Sequence, residues 1–275
     1  MQSSRIFPRS AAIALLSLGI AAAHAQSPQP GSMQGRVVDA RGAALPGVSV
    51  IADNTLLYNT NALGVSGTDG RYAIDVSRPA GTWVGSAQVT RTYNGKRYVL
   101  DLDPDTVDPF AGNAGAIRNF TWKLSGERRD GLGTYGMSVI YYFEGFEDPQ
   151  FPGQFLDTDY VELTLVPVGP LVDGSAGSRI VRLGVRTPDG PALQDVPVGR
   201  YTITGRYLAP DLPVRPLLLR VRNTGEYVPA LTTDFVEVLQ TLYHIEMDVT
   251  LDTAFIFDGD FESAQVDGRV MPAHS

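Results

Sequence analysis

The stretch GVSGTDGRYAIDV (residues 64–76) places three glycines and Asp69 directly before an alternating apolar run. A phosphate-binding loop needs such glycines to lead into the amino terminus of a helix, whereas here a strand pattern follows. A helix–loop–helix calcium site needs oxygen ligands at alternate positions and a closing glutamate, and only Asp69 and Asp75 are available. We therefore predict a hairpin turn at residues 68–70, with a positive φ at Gly70 and a side-chain acceptor at Asp69.

The rest of the chain shows the same period-two alternation of apolar and polar residues, for example at residues 120–124, 161–165 and 243–251. Twenty-nine glycines and 19 prolines interrupt these runs, and no long stretch keeps a helical period. This pattern predicts an all-β protein made of antiparallel strands. The length favours two β-sandwiches, at residues 34–125 and 136–253, with a polar linker at residues 126–135.

The two halves share a short echo. Residues 70–74 read GRYAI and residues 199–203 read GRYTI, and each segment opens an alternating strand. The repeat suggests that the same strand-entry geometry occurs twice.

Residues 1–25 combine an arginine-containing start, an apolar run and a small-x-small exit at Ala23-His24-Ala25, which predicts a secretory signal peptide. Its removal takes two arginines and leaves 20 basic against 30 acidic residues, a formal charge of −10. An acidic surface disfavours nucleic acid as a partner. The chain has no cysteine, and no further apolar stretch is long enough to span a membrane. We expect a secreted protein, periplasmic or extracellular, with a disordered leader at residues 26–33 and a tail at residues 254–275.

The first half carries a motif that extends beyond the opening turn. Residues 35–50 read GRVVDARGAALPGVSV and are followed by TDGRYAI at residues 68–74. This combination resembles the carboxypeptidase regulatory-like domain, a transthyretin-like (prealbumin-like) sandwich, over residues 33–125. Residues 187–201 are similar, less closely, to the strand entry of prealbumin-like repeats. The resemblance implies two transthyretin-like or Ig-like sandwiches.

Carboxypeptidase regulatory-like domains are not themselves catalytic, so the resemblance implies a non-enzymatic module. Hydroxyisourate hydrolases share the general fold but need several histidines and a terminal Tyr-Arg-Gly-Ser, which is absent here. Intradiol dioxygenases bind iron through two tyrosines and two histidines, and the folded body offers only His244. We therefore expect a module that engages a carbohydrate or protein partner, and no cofactor other than a possible calcium ion.

Aromatic residues near turns are the candidate ligand-binding residues. Trp83 follows the Pro79-Ala80-Gly81 turn, and Tyr93 precedes Asn94-Gly95, a hairpin signal. Together with Tyr98, these rings are candidates for a platform on which a sugar or peptide stacks, because loops at a sandwich end commonly carry ligands. The alternative for each ring is a place in the core.

Two groups of polar residues are candidate metal ligands. Asp101, Asp103, Asp105 and Asp108 occupy one proline-stiffened stretch, and oxygen-rich loops of this kind bind calcium. His244, Glu246 and Asp248 alternate along one strand, so they share a face and are an alternative site for a divalent metal or an enzyme. The competing interpretation is an acidic surface loop in the first case and a solvated strand face in the second.

Overall fold

The computed structural model describes residues 27–254, and almost every element in that range is a strand. The signal peptide and most of the predicted tail lie outside the described residues. Within the described range no helix is long and apolar enough to cross a bilayer. The chain is all-β, as the alternating sequence pattern predicts.

The first unit is built from strands between residues 32 and 122, which form two facing sheets. One sheet has the order β4-β1-β10-β7, with β9 paired to β1, and the other has the order β3-β2-β5-β6, with β8 paired to β5. The strands are β1 (Ser32–Asp39), β2 (Ser49–Asn54), β3 (Asn61–Val65), β4 (Arg71–Asp75), β5 (Thr82–Tyr93), β6 (Lys96–Asp101), β7 (Asp103–Pro104), β8 (Phe110–Ala111), β9 (Ala116–Ile117) and β10 (Phe120–Trp122).

The second unit is one sheet with the order β13-β12-β16-β17-β21-β11-β15-β14, to which β18, β19 and β20 attach. A short 3-10 helix at Thr158–Tyr160 precedes β12. The strands are β11 (Met137–Phe143), β12 (Val161–Pro167), β13 (Ile180–Leu183), β14 (Val185–Thr187), β15 (Gly190–Val196), β16 (Arg200–Tyr207), β17 (Arg215–Val221), β18 (Thr224–Val228), β19 (Leu231–Asp234), β20 (Val236–Leu239) and β21 (Leu242–Leu251).

The two units follow one pairing scheme. Most neighbouring strands are antiparallel, but the first and last strands of each unit pair in parallel, β1 with β10 and β11 with β21. β2 pairs with β3 and β5, as β12 pairs with β13 and β16. β6 pairs with β5, and β7, which follows β6, pairs with the last strand of the first unit, β10. In the second unit β17 makes both kinds of pair, because it pairs with β16 and with the last strand, β21. The scheme makes β16 the counterpart of β5.

The repeated sequences GRYAI and GRYTI do not lie on equivalent strands. This corrects the expectation that both segments enter their strands with the same geometry. The first copy opens β4, which pairs with the first strand of its unit, whereas the second copy opens β16. Gly70 has φ +77°, and Gly199 lies outside the left-handed region. The two segments therefore enter their strands differently, and the similarity of the units lies in their pairing scheme.

The turn at residues 68–70 has the predicted chemistry but a different connection. Gly70 has a positive φ, and Oδ1 of Asp69 accepts a hydrogen bond of 3.0 Å from the Arg71 N–H. However, β3 and β4 belong to opposite sheets, so the turn crosses between layers and does not close a hairpin. A Cβ at Gly70 would lie 2.4 Å from the carbonyl oxygen of Val37. Glycine is required here by both φ and space.

Two further expectations concern chain segments. Asn94 and Gly95 have φ of +48° and +76° and close the β5–β6 hairpin, as the sequence predicts.

The prediction of a disordered leader at residues 26–33 is wrong for its last two residues. Ser32 and Met33 belong to β1, and Met33 is fully buried. The apolar Met33 side chain fills core space beside Gly85, which orders the strand from its first residues.

Candidate functional site

Trp83 does not lie on an exposed platform. Its side chain is 1% exposed and packs in the core of the first unit from β5. Tyr201, at the start of the counterpart strand β16, is equally buried. The position after the turn therefore supplies a large core ring in both units, and the expectation of a surface ring at Trp83 is wrong, because β5 turns it inward.

Tyr98 is also buried, at the contact between the two units. Its hydroxyl donates a 2.8 Å hydrogen bond to the carbonyl of Phe235, and its ring centroid lies 4.9 Å from that of Tyr243. In return, the Val99 N–H donates to the Tyr243 hydroxyl at 2.8 Å. Burial raises the pKa of Tyr98 above its ordinary value. Tyr98 therefore fastens the units together as a neutral phenol and is not available to a ligand at the surface.

Tyr93 makes a second contact between the units. Its hydroxyl donates to the carbonyl of Pro170 at 2.8 Å and accepts from the Arg200 N–H at 3.0 Å. The neighbouring Asn94 donates to Asp234 at 2.8 Å. We call these contacts, with those of Tyr98 and of residues 126–135, the junction. Two of the three predicted ligand-binding aromatics thus belong to the junction.

The segment 126–135, predicted as a polar linker, contacts both units. Arg128 lies 3.1 Å from Asp101, and Arg129 lies 3.1 Å from Asp103, both in the first unit. On the other side, the N–H of Gly126 donates to the carboxylate of Asp195. The charged residues of the segment therefore form ion pairs that bind it to the first unit.

The four predicted calcium ligands point to separate partners. Asp101 and Asp103 bind the arginines of the connecting segment, and Asp101 also accepts from Gln88 at 3.0 Å. Asp105 accepts from Asn119 at 2.8 Å, and Asp108 accepts from Thr106 at 2.9 Å. Within residues 27–254 no group of three or more His, Cys, Asp or Glu side chains is arranged to hold a metal. The structure does not assemble the predicted calcium site.

Asp103 is the most buried carboxylate of this group, at 4% exposure. Burial by itself raises the pKa of Asp103, but hydrogen bonds from Lys123 and Tyr135 and the charge of Arg129 outweigh it, so the net pKa is lowered. The Tyr135 hydroxyl donates to Asp103 at 3.1 Å. Asp103 is therefore an ionised carboxylate that ties the connecting segment to the first unit.

His244, Glu246 and Asp248 share one face of β21, as their spacing predicts, but they do not converge. Nδ1 of His244 lies 3.8 Å from Glu246, while Asp248 accepts from Arg220 at 2.9 Å and from the Asn223 N–H at 2.8 Å. His244 and Asp248 are 6% and 3% exposed. These side chains do not assemble the alternative metal site. The interpretation as a solvated strand face is wrong for His244 and Asp248, because both are buried. Arginines of the neighbouring strand β17 and of its turn pack against Asp248.

Sequence reasoning missed a buried ion pair in the second unit. Arg215 and Asp148 have side-chain exposures of 0% and 1% and form a two-pronged contact, with one N–O distance of 2.9 Å. The guanidinium also lies 5.1 Å from the ring of Phe151 and 5.4 Å from that of Tyr207. The partners are 67 residues apart, so no local motif signals the pair.

The junction encloses a cavity of about 290 Å³. Its walls include Leu100 and Lys123 of the first unit, Tyr135 of the connecting segment, and Gln194 and Leu242 of the second unit. Hydroxyl groups and one ion pair line it as well: Thr134, Ser138, Thr241, and Asp101 with Arg128. The contacts around this cavity join the two units and the connecting segment.

Comparison with known proteins identifies distant structural likenesses. The sequence matches no protein-family model and no curated protein. Solved structures similar to it include the Bacillus anthracis TIE protein, with 12% identity over 81% of this chain and a TM-score of 0.31. The pilus adhesin SpaC from Lactobacillus rhamnosus GG gives 12% identity over 80% and a TM-score of 0.23. BcpA, the major pilin subunit of Bacillus cereus, gives 7% identity over 81% and a TM-score of 0.21.

The present chain spans about a third of the first two of these proteins, 34% and 31% of their lengths, and 99% of the BcpA chain. The resemblance of residues 33–125 to carboxypeptidase regulatory-like domains stays a prediction.

Proposed function

We propose that this protein is a secreted, non-catalytic module of the periplasm or cell exterior. In this proposal two transthyretin-like sandwiches, residues 34–125 and 136–253, are held at a fixed angle and present their surfaces to a protein or carbohydrate partner. The observation that carries the proposal is the junction. Side chains with the chemistry for ligand or metal binding, such as Tyr93, Tyr98 and Asp103, are engaged in contacts between the units or with the connecting segment.

A junction of this composition suits a structural role. Contacts within a chain between domains resemble transient interfaces and allow motion unless they are extensive. Here aromatic stacking, hydrogen bonds to backbone groups and ion pairs act at several separate points. The resemblance to non-catalytic carboxypeptidase regulatory-like domains supports the same proposal, as does the predicted signal peptide.

The proposal predicts that the two units keep a fixed orientation relative to each other. Residual dipolar couplings measured on residues 26–275 should fit a single alignment tensor for both units. The double variant Tyr93→Phe with Asp103→Asn removes contacts at two points of the junction and should require two tensors. Thr106→Ala, which removes only two local hydrogen bonds to Asp108 within the aspartate loop, is the matched control. Independent tensors in the wild-type protein would contradict the proposal.

Partner binding is tested separately on arrays of polysaccharides and extracellular proteins. The proposal expects a hit that survives substitution of the buried Trp83 by Phe, because that ring lies in the core. Turnover of any arrayed compound would contradict the non-catalytic assignment.

A further inference from the structure

The edge of the first unit formed by β3 has an unpaired backbone. β3 ends its sheet and pairs only with β2 among the described residues 27–254. The Asn54 N–H donates to the Thr60 carbonyl, and the Ser66 N–H donates to the Val48 carbonyl. Hydrogen bonding in antiparallel pairs alternates, so even-numbered residues bond to β2. Three residues consequently direct their N–H and C=O groups away from the sheet: Asn61, Leu63 and Val65.

The same edge exposes apolar side chains. Leu63 and Val65 are 74% and 64% exposed on the outer face of the sheet. The preceding loop adds Leu56, Leu57 and Tyr58, which are also exposed. The loop is held by Oδ1 of Asn54, which accepts from the N–H groups of Leu56 and Leu57, both at 3.0 Å. An ordered turn therefore holds these side chains out of the core.

β3 also lacks the charge that normally protects a strand edge. Residues 54–68 contain no Asp, Glu, Lys or Arg. The other edge or attached strands longer than two residues each carry a charge: Arg71 and Asp75 in β4, Lys96, Arg97 and Asp101 in β6, Arg182 in β13, Arg186 in β14, Glu226 in β18, Asp234 in β19 and Glu237 in β20. Charged side chains on an edge prevent pairing with another chain. β3 is the edge on which that protection is missing.

We propose that β3 is a self-association surface, where two copies of this chain pair antiparallel about a two-fold axis at Leu63. In this register Leu63 faces Leu63 of the second copy, and Asn61 faces Val65 of the second copy. The outward backbone groups then form about six hydrogen bonds between the chains. The exposed leucine and valine side chains of both copies lie together on the outer face, at cross-strand distances of about 5 Å.

A second copy fits this edge for reasons of charge and symmetry. The protein carries a formal charge of −8, or −10 without the predicted signal peptide, so most faces of two copies repel each other. The uncharged β3 brings no like charges into contact. A two-fold arrangement uses the same patch twice, and it requires a strand that is complementary to itself.

Sedimentation equilibrium of the mature chain tests the proposal. The wild type should form a dimer that dissociates on dilution, and Leu63→Lys with Val65→Lys should weaken it roughly tenfold or more. The control Val181→Lys with Leu183→Lys makes the same changes on β13, which already carries Arg182, and should leave the dimer unchanged. Both pairs of positions are solvent-exposed, and circular dichroism verifies that the variants fold.

Amide exchange measured by NMR locates the contact independently. The amides of Leu63 and Val65 should become protected as concentration rises, whereas those of Ala62 and Gly64, bonded to β2, should be protected throughout. A wild type that stays monomeric up to about 1 mM overturns the proposal. So does a dimer that the β3 variant leaves intact, or pairing of β3 with a strand of another protein only.

Discussion

The two units differ in the partners of a buried arginine, although their strands follow one pairing scheme. In the second unit, Arg215 is neutralised by the carboxylate of Asp148, and both side chains are almost fully buried. In the first unit, the buried Arg118 donates instead to the backbone carbonyls of Asp108 and Ile117, at 2.8 and 2.9 Å. Carbonyl groups do not titrate, whereas a carboxylate does. The same fold scheme therefore tolerates a buried arginine in two ways, and only one depends on pH.

The units also differ in the strands that end their sheets. β13 and β14 are separated by Gly184 alone and lie at opposite ends of the second unit's sheet, where β13 pairs with β12 and β14 pairs with β15. In the first unit, the turn at residues 66–70 crosses between layers and leaves the edges of β3 and β4 open. One continuous segment of the second unit therefore supplies both end strands of its sheet, whereas β3 and β4 of the first unit end two different sheets.

The largest effect should come from Arg215→Ala. Removing one partner of a buried ion pair typically costs about 3–5 kcal/mol of unfolding free energy, because the other charge is left uncompensated. Both tryptophans, Trp83 and Trp122, lie in the first unit. Tryptophan fluorescence therefore reports on the first unit, whereas circular dichroism reports on both. The midpoint of urea unfolding should fall more when it is followed by circular dichroism than when it is followed by fluorescence.

Arg206→Ala is the control for that measurement. Its pair with Glu162 is exposed, with 56% of the arginine side chain accessible, and should cost less than about 1 kcal/mol. Replacing both Arg215 by Met and Asp148 by Leu should cost less than Arg215→Ala alone. Equal losses in Arg215→Ala and Arg206→Ala would show that the buried pair does not distinguish the units.

Acid should destabilise both units, the second through Asp148 and Asp248 and the first through Asp103, whose pKa is also lowered. Burial alone raises the pKa values of Asp148 and Asp248, but hydrogen bonds from arginines and backbone N–H groups outweigh it and lower both. A lowered folded-state pKa stabilises the protein above the ordinary carboxyl value of about 4, and that stabilisation is lost as pH falls through the folded-state pKa. Stability should thus be flat near neutrality and decline below about pH 4.

The readout is thermal unfolding between neutral and acid pH, again comparing circular dichroism with tryptophan fluorescence. The variant with Arg215→Met and Asp148→Leu lacks one of these three carboxylates and should show a shallower decline by circular dichroism. A decline as steep in that variant as in the wild type would contradict the contribution of Asp148 to the acid sensitivity.

A smaller effect, confined to the first unit, is expected for Gly70→Ala. The substitution combines a positive φ with a Cβ placed 2.4 Å from the Val37 carbonyl oxygen, and should cost about 2–3 kcal/mol by tryptophan fluorescence. Gly95→Ala is the matched control, because φ is +76° and no atom lies within 4 Å. It should cost about 1 kcal/mol. Identical costs would show that the crossover between layers exerts no steric constraint.

Local chemistry predicted much of this fold. The alternating runs predict strands because side chains of a strand point to opposite faces, and Asn94-Gly95 predicts a hairpin because both residues accept a positive φ. The same reasoning predicted the positive φ of Gly70. For the site, it correctly grouped His244, Glu246 and Asp248 on one face.

Features that depend on contacts between distant parts of the chain could not be predicted from local chemistry. A positive φ at Gly70 suits a hairpin and a crossover equally, and only the placement of β3 and β4 in opposite sheets decides between them. Whether Trp83 and Tyr98 meet solvent depends on what packs over them. The free edge of β3 had a signal in the uncharged run of residues 54–68, but its meaning required knowing that β3 ends a sheet.

The sequence by itself determined the strands, several turns and the acidic character of this protein, because backbone preferences and side-chain alternation act over a few residues. Tertiary structure alone decided that Tyr93 and Tyr98 join the two units, that Asp103 binds the connecting segment, and that Asp148 meets Arg215. These contacts link residues tens of positions apart, and burial and electrostatic pairing arise only when the sheets bring such residues together.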